Sequence, residues 1–395
     1  MSSLAPLVTI VTPSYNQGHF IRATIESVLA QDYPHIEYIV MDAGSSDATA
    51  AIASEYSSRL TFISERDRGQ SDAINKGFQR GRGQILAWLN SDDVYLPRAV
   101  SAAVRAFAAN PACGMVYGEG YTMNREGVIQ GRFPHSRPFD LWRLTYLSDY
   151  ILQQSSFYRR SALDQVGYLD ESLHFGMDWD LFVRIGMRYP VAYVTDYLGC
   201  IREYAETKSA SGALVRAHEL HRLLRRQTGL RLPPGSIVYA GETYWREAVR
   251  LIDAHTPRGL GFFARAARFG LQVAAGAIIG RTLQQAQELY SDGWAGPRLR
   301  LMLRAGRAVF TLRGAAPGAP ARMCRQRISI TANGRPLGRF TVAPGEFELR
   351  ILVPPELEDV PLRIEANSAR SFRPSLLGRD RRRLAFLYAG AGWAE

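Results

Sequence analysis

Apolar and polar positions come in alternating blocks over the first 120 residues. Leu7 to Thr12 is a short apolar run, and after the turn residues Pro13–Gly18 the positions Ile21, Ile25, Val28 and Leu29 share one helical face. Ile36 to Met41 is a second run, ending at Asp42-Ala43-Gly44-Ser45-Ser46-Asp47, where Asp47 can cap a helix starting at Ala48. Leu60 to Ser64 reads as a third strand, Ser71 to Phe78 as a helix, and Ile85 to Leu89 as a fourth strand. Asn90-Ser91-Asp92-Asp93 follows, and Pro97 then opens a helix with Val100, Val104 and Phe107 in register. Four strand–helix pairs in succession predict an α/β, mostly parallel, Rossmann-like sheet covered on both faces.

Ligands of such sheets lie beyond the carboxyl ends of the strands. The polar clusters fall there: Ser14-Tyr15-Asn16, Asp42, Glu65 to Gln70, and Asp92-Asp93. Each alone is ordinary turn chemistry. Four at one edge of one sheet predict a site.

Residues 115–210 are less regular, with a helix around Trp179 to Met187. Residues 212–290 read as mainly helical, broken at Pro233-Pro234-Gly235 and at Pro257 to Gly261. From about residue 295 the period changes to two. Ile328, Ile330 and Ala332 alternate with polar residues, Asn333-Gly334 marks a hairpin, and Phe340-Val342, Phe347-Leu349-Ile351 and Leu362-Ile364-Ala366 repeat the pattern. The organisation expected is an α/β domain over 1–230, a helical segment over 231–293 and an all-β sandwich over 294–395.

The length of 395 residues suits two or three domains, and 46 % hydrophobic with 22 % charged residues excludes a disordered chain, a collagen or a multi-span membrane protein. Three cysteines, Cys113, Cys200 and Cys324, are too scattered for a disulfide framework or a Cys-rich zinc site. The first residues carry no basic start followed by an apolar core, so a cytoplasmic location is expected. Charge is split unevenly: residues 1–210 hold 19 basic and 23 acidic side chains, and 211–395 hold 29 and 14. The basic half favours anionic partners. Arg258 to Arg281 reads as an amphipathic helix able to lie on the inner face of a membrane, or equally to pack on the protein. Little base-stacking aromatic pattern accompanies the arginines, so nucleic acid is not expected as a partner.

Asp92-Asp93 is an acidic pair at a strand end. Such carboxylates suit Mg²⁺ or Mn²⁺ when a substrate diphosphate completes the ligand set, and they also suit a helix start. Pro13 to Gly18 contains no Gly-x-Gly-x-x-Gly, and no Gly-x-x-x-x-Gly-Lys-[Ser/Thr] occurs, against a dinucleotide dehydrogenase or a P-loop enzyme.

Val8 to Asn16 (VTIVTPSYN), Met41 to Thr49 (MDAGSSDAT), Ser64 to Gly77 (SERDRGQSDAINKG) and Ala87 to Pro97 (AWLNSDDVYLP) together resemble the inverting glycosyltransferase family 2, whose fold is called GT-A. The resemblance spans roughly residues 5–210. It implies a nucleotide-sugar donor and a glycan or lipid-linked acceptor. It places Pro13, Tyr15, Asn16, Asp42, Asp72 and Lys76 at the donor, with Tyr15 against the base. Asp92 is implied in ribose or metal contact, and Asp93 as the direct ligand of Mg²⁺ or Mn²⁺. Arg202 and Lys208 fall in a segment implied to close over the diphosphate, and Gln153-Gln154 beside the acceptor. The general base is implied at Asp178, before a helix, with Asp180 in support. Two positions depart from the family: Ala43 stands where a second nucleoside-reading acid is common, and Met177 where Glu is common. They keep open a second reading, a carbohydrate-binding or assembly protein of reduced turnover. A nucleotidyltransferase is a weaker third, because the first loop is neither Gly-rich nor basic. Trp142 and Trp179 are candidate sugar-stacking rings or core residues.

Overall fold

The structure, a computed structural model, describes residues 5–241, 243–244, 294–306, 308–317, 325–371 and 384–394. The expected amphipathic helix at 258–281, most of the expected helical segment 231–293, Cys324 and Arg381-Arg382-Arg383 lie outside the described residues. The chain forms two compact units, Met1–Asp140 with Ser148–Arg226, and Leu141–Leu147 with Gln227–Glu395.

The first unit carries nine strands: β1 (Val8–Ser14), β2 (Ile36–Asp42), β3 (Thr61–Ser64), β4 (Ile85–Trp88), β5 (Val94–Tyr95), β6 (Met115–Met123), β7 (Ile129–Arg132), β8 (Ser156–Arg159) and β9 (Val191–Arg202). They form one sheet in the order β3-β2-β1-β4-β8-β6-β9-β5, with β7 on β6. β1, β2, β3 and β4 are parallel neighbours, as the sequence predicts. Beyond β4 the sheet is mixed: β8 runs antiparallel to β4 and β6, while β6 and β9 are parallel. All seven residues of β1 are buried, which is why its run does not alternate between apolar and exposed polar positions.

Helices α1 (Ile21–Leu29), α2 (Thr49–Ser54) and α3 (Gln70–Arg80) connect the parallel strands, and α4 (Ala99–Ala109) leads from β5 to β6. Ile21, Ile25 and Val28 of α1 enter one core with Val8, Ile10, Val40, Ala87 and the α4 residues Val100, Ala103 and Phe107. α3 lies unusually close to β1, because a Cβ at Gly77 would sit 2.5 Å from Val11 Cγ1. α2 begins at Thr49, one residue later than expected, and Asp47 still caps it: Oδ1 accepts from Thr49 N at 3.0 Å and Oδ2 from Gly18 N at 2.8 Å.

The region from 115 to 210 contains two of the longest strands. Their glycines hide them from a propensity reading, yet they serve close approach. A Cβ at Gly199 of β9 would lie 2.5 Å from Gln154 O, so only glycine lets the turn at Gln153–Ser155 press onto the sheet. After α5 (Leu141–Tyr146) and α6 (Arg160–Val166) comes α7 (Met177–Arg188), then α8 (Lys208–Ser211) and α9 (Ala213–Thr228).

The second unit is the expected sandwich. β10 (Trp294–Ala295), β11 (Arg298–Leu303), β12 (Val309–Ala316), β13 (Gln326–Ala332), β14 (Arg335–Val342), β15 (Gly345–Leu352), β16 (Leu362–Ser368) and β17 (Phe386–Trp393) form two sheets, β10-β17-β12-β15 and β11-β16-β13-β14. Leu299, Ile328, Ile330 and Ile364 of one sheet share a core with Phe310, Leu312, Ile351 and Phe386 of the other. The segment 141–147 belongs to this unit: Trp142, Tyr146 and Leu147 pack with Met302 of β11, and the Trp142 and Tyr146 rings stack at 5.2 Å. Trp142 is therefore a core residue, and so is Trp179, 2 % exposed in the first unit.

Candidate active site

The strand order reverses at β1, with β2 on one side and β4 on the other. A crevice opens beyond the carboxyl ends at such a reversal. The loops after β1, β2 and β4 all leave from this edge, since Ser14 pairs with Asp42 and Val11 with Trp88.

The first two loops are knitted together. Asn16 has φ 52°, a left-handed conformation that asparagine tolerates. Its N–H donates to Ser45 Oγ at 2.8 Å and its Oδ1 accepts from Ser46 N at 2.9 Å. Asp42 is buried and accepts from Gly44 N, Ser45 N, Ser45 Oγ and Ser64 Oγ. Asn16 and Asp42 thus shape the edge, and between them the Tyr15 side chain is 61 % exposed. Pro13, expected at the donor, is buried at the end of β1 opposite Met41.

At the start of α3, Asp72 accepts from Arg68 N at 2.9 Å and pairs with Lys76 at 3.0 Å, while Lys76 also donates to Arg66 O. Burial alone would raise the Asp72 pKa, but the Arg68 and Lys76 bonds prevail and hold it at about 2. Asn75 brackets the backbone of Leu169, donating to its O at 2.9 Å and accepting from its N at 3.0 Å. This motif organises the loop beside the crevice.

The acidic pair divides into two environments. Asp93 is 2 % exposed, and its oxygens accept from Asn90 Nδ2 at 3.0 Å, Gln154 Nε2 at 2.6 Å and Arg202 N at 2.8 Å. Asp93, expected as the direct metal ligand, is thus occupied by N–H donors. Asp92 is partly exposed, and its carboxylate takes one bond, from Tyr204 Oη at 2.9 Å. Burial pushes both carboxyls upward, and the neighbouring Asp92 charge pushes Asp93 further. Arg202, expected at the phosphates, serves the backbone instead. Its guanidinium donates to Asp92 O, Asn124 O and Arg125 O, lies over the Phe20 ring, and is 5 % exposed as a residue.

A polar chain runs from this pair to the expected base. Asn90 Oδ1 accepts from Gln70 Nε2 at 2.7 Å, and Gln70 Oε1 accepts from Lys208 Nζ at 2.8 Å. Lys208 feels the charges of Asp178 and Glu219, although burial is stronger and lowers its pKa to about 8. Asp178 lies in the first turn of α7, beside α3, where Ser71 Oγ meets Met177 Sδ at 2.8 Å. Burial raises its carboxyl, and Lys208 and Arg216 oppose that rise. Asp180, expected in support, is buried and paired with Arg184 at 2.7 Å and Arg226 at 2.9 Å. Gln153-Gln154, expected beside the acceptor, bind Trp88 O and Asp93.

Two residues escape sequence reasoning. Asp149 is raised by burial and by the Asp178 charge, and Glu219 accepts from three backbone N–H groups ahead of α7. Neither belongs to a motif. Glu219 sits more than 40 residues from its partners, so only the tertiary structure reveals it.

No group of three or more His, Cys, Asp or Glu side chains converges as a metal cage among the described residues. The Asp92 carboxylate nevertheless suits a hard cation whose remaining oxygen ligands come from a diphosphate and water. None of the described helices is long and apolar enough to cross a membrane.

Residues 9–167 match the sequence profile of Glycosyl transferase family 2. An uncharacterized glycosyltransferase of Rickettsia prowazekii is 28 % identical over 186 residues, 46 % of this chain and 58 % of the relative. The putative teichuronic acid biosynthesis glycosyltransferase TuaG of Bacillus subtilis is 32 % identical over 142 residues, 34 % of this chain and 55 % of the relative. The chain thus spans little more than half the length of these two relatives. The mannosyltransferase PcManGT of Pyrobaculum calidifontis, solved with GDP-Man and Mn2+, aligns at a TM-score of 0.48 and 18 % identity, covering 71 % of this chain and 85 % of that one. Over residues 9–167 the chain is thus similar to the glycosyltransferases of family 2.

Proposed function

We propose that the protein transfers a sugar, with inversion, from a nucleoside-diphosphate donor to a glycan or lipid-linked acceptor in surface polysaccharide synthesis. The observation that carries this is the continuous polar chain Asp93–Asn90–Gln70–Lys208, which links the acidic strand end to the electrostatic neighbourhood of Asp178. One end suits the leaving group and the other the attacking hydroxyl. TuaG, by its name, belongs to teichuronic acid biosynthesis, which supports the polymer class.

In this reading the exposed Tyr15 ring lies against the donor base, and the Asn16–Asp42 network holds it there. Asp92 would hold Mg²⁺ or Mn²⁺, with Asp93 fixing the loop behind it. When bound, the ion would neutralise the charge developing on the departing diphosphate. Lys208, bonded to Gln70 and within the field of Asp178, adds a cation between the two ends. Asp178 accepts the proton of the acceptor hydroxyl as that oxygen attacks the anomeric carbon. Its raised pKa brings it nearer the range a general base needs. Peripheral membrane contact belongs to the same reading, as the place where a lipid-linked acceptor is met.

The test is a panel of UDP- and GDP-linked hexoses with Mn²⁺, scored for nucleotide release and for the anomeric configuration of product. Inverted product from one donor, with Asp178→Asn retaining nucleotide affinity but losing at least about 100-fold in rate, is expected. Binding without turnover by the wild type across the panel would favour the carbohydrate-binding reading that Ala43 and Met177 motivate.

A further inference from the structure

The segment leading into α7 is held from outside by one side chain. Glu219 of α9 is 5 % exposed, and its two carboxylate oxygens accept from three consecutive backbone N–H groups. Oε2 takes His174 N at 3.0 Å, and Oε1 takes Phe175 N at 2.6 Å and Gly176 N at 3.0 Å. Gly176 is the residue before α7, and Asp178 is the helix's second residue. The close seat needs glycine there, since a Cβ at Gly176 would sit 2.7 Å from Leu223 Cδ2 of the same α9. These three N–H groups lead into α7, so the anion in α9 fixes the approach to the helix, while Trp179 N inside the first turn donates to Asp178 Oδ1 at 2.8 Å.

Glu219 has a second connection to Asp178. Both carboxylates act on the Lys208 ammonium, which Gln70 anchors at 2.8 Å. The Asp178 charge is also faced by Asp149 from the loop before Gln153, by Arg216 from α9 and by Tyr158 from β8, and His174 lies near Lys208.

We infer that Glu219 is a positioning residue for the transfer reaction: it fixes the turn that presents Asp178 and draws part of the Lys208 charge away from it. This rests on Asp178 being the base. A loose turn would misplace the accepting oxygen, and an undivided Lys208 charge would stabilise the Asp178 carboxylate and weaken it as a base.

The experiment is the pH dependence of single-turnover nucleoside-diphosphate release, using the UDP- or GDP-hexose that the panel selects, with Mn²⁺. Wild type, Glu219→Gln, Glu219→Asp and Asp178→Asn are compared. Glu219→Gln should lower the rate about tenfold with donor KM within about twofold, and move the acid limb down by about half a unit or more. Glu219→Asp keeps the charge and shortens the reach, so its limb should stay with the wild type while its rate falls about threefold or more. A limb unmoved in Glu219→Gln overturns the inference while leaving the base in place, provided Asp178→Asn is inactive. Should Glu219→Gln not fold, a Glu219→Asp rate equal to wild type overturns it. A wild-type limb surviving in Asp178→Asn removes the base itself, a different failure.

Discussion

Asp72 and Arg202 show how a motif residue can hold the backbone and side chains around a site. Asp72 is nearly enclosed and takes bonds from Arg68 and Lys76. Its native pKa of about 2 lies below the ordinary aspartate value near ~3.9, so the stabilisation is fully present above that value and fades as pH falls toward 2. Asp72→Asn should cost about 2 kcal/mol in neutral urea denaturation, and the gap to wild type should close in acid. Arg202 spends its donors on three backbone oxygens. Arg202→Ala should cost about 3 kcal/mol, read as a lowered Tm, because three part-buried carbonyl bonds lose a charged donor. The residue identities were legible as a family pattern. Their duties were not, because type and spacing do not say whether a guanidinium points at solvent phosphate or at a carbonyl inside the loop.

At the level of elements, β1 and β4 announced themselves because each is buried along its whole length and reads as a mainly apolar run. The turn chemistry of Asn16, Asp42 and Asp47 likewise marked where β1 and β2 end. β6 and β9 were obscured by Gly120 and Gly199, which a propensity reading counts as breakers and which the close approach of the Gln154 turn requires. α5 was obscured for another reason: its apolar face is matched by Met302, far along the chain. Tight helix–strand contact makes a direct prediction at Gly77. Gly77→Ala would drive a methyl into Val11, so the substitution should destabilise by about 1–3 kcal/mol despite the better helix propensity of alanine. Thermal denaturation of the single variant reads this, and a neutral or stabilising result would mean that α3 and β1 stand further apart.

For the whole molecule, the chain divides into two units with separate cores. The first presents loops from one sheet edge, and the crevice chemistry depends on a few groups there. Their arrangement follows from the strand order β2-β1-β4, which no single motif encodes but which four ordered strand–helix pairs make the simplest outcome. The sandwich was legible from its period-two pattern and its Asn333-Gly334 hairpin, and the sequence offers no motif for what its surface binds. The central claim concerns the first unit: Asp92 and its neighbours receive a nucleoside diphosphate together with a divalent cation. Calorimetric titration of UDP and of GDP into the wild type and Asp92→Asn, with and without Mn²⁺, addresses it most directly. Wild-type affinity for one nucleotide should rise about tenfold or more with Mn²⁺, and Asp92→Asn should erase that rise while remaining folded. Equal affinity in the wild type with and without the metal, for both nucleotides, would contradict the account.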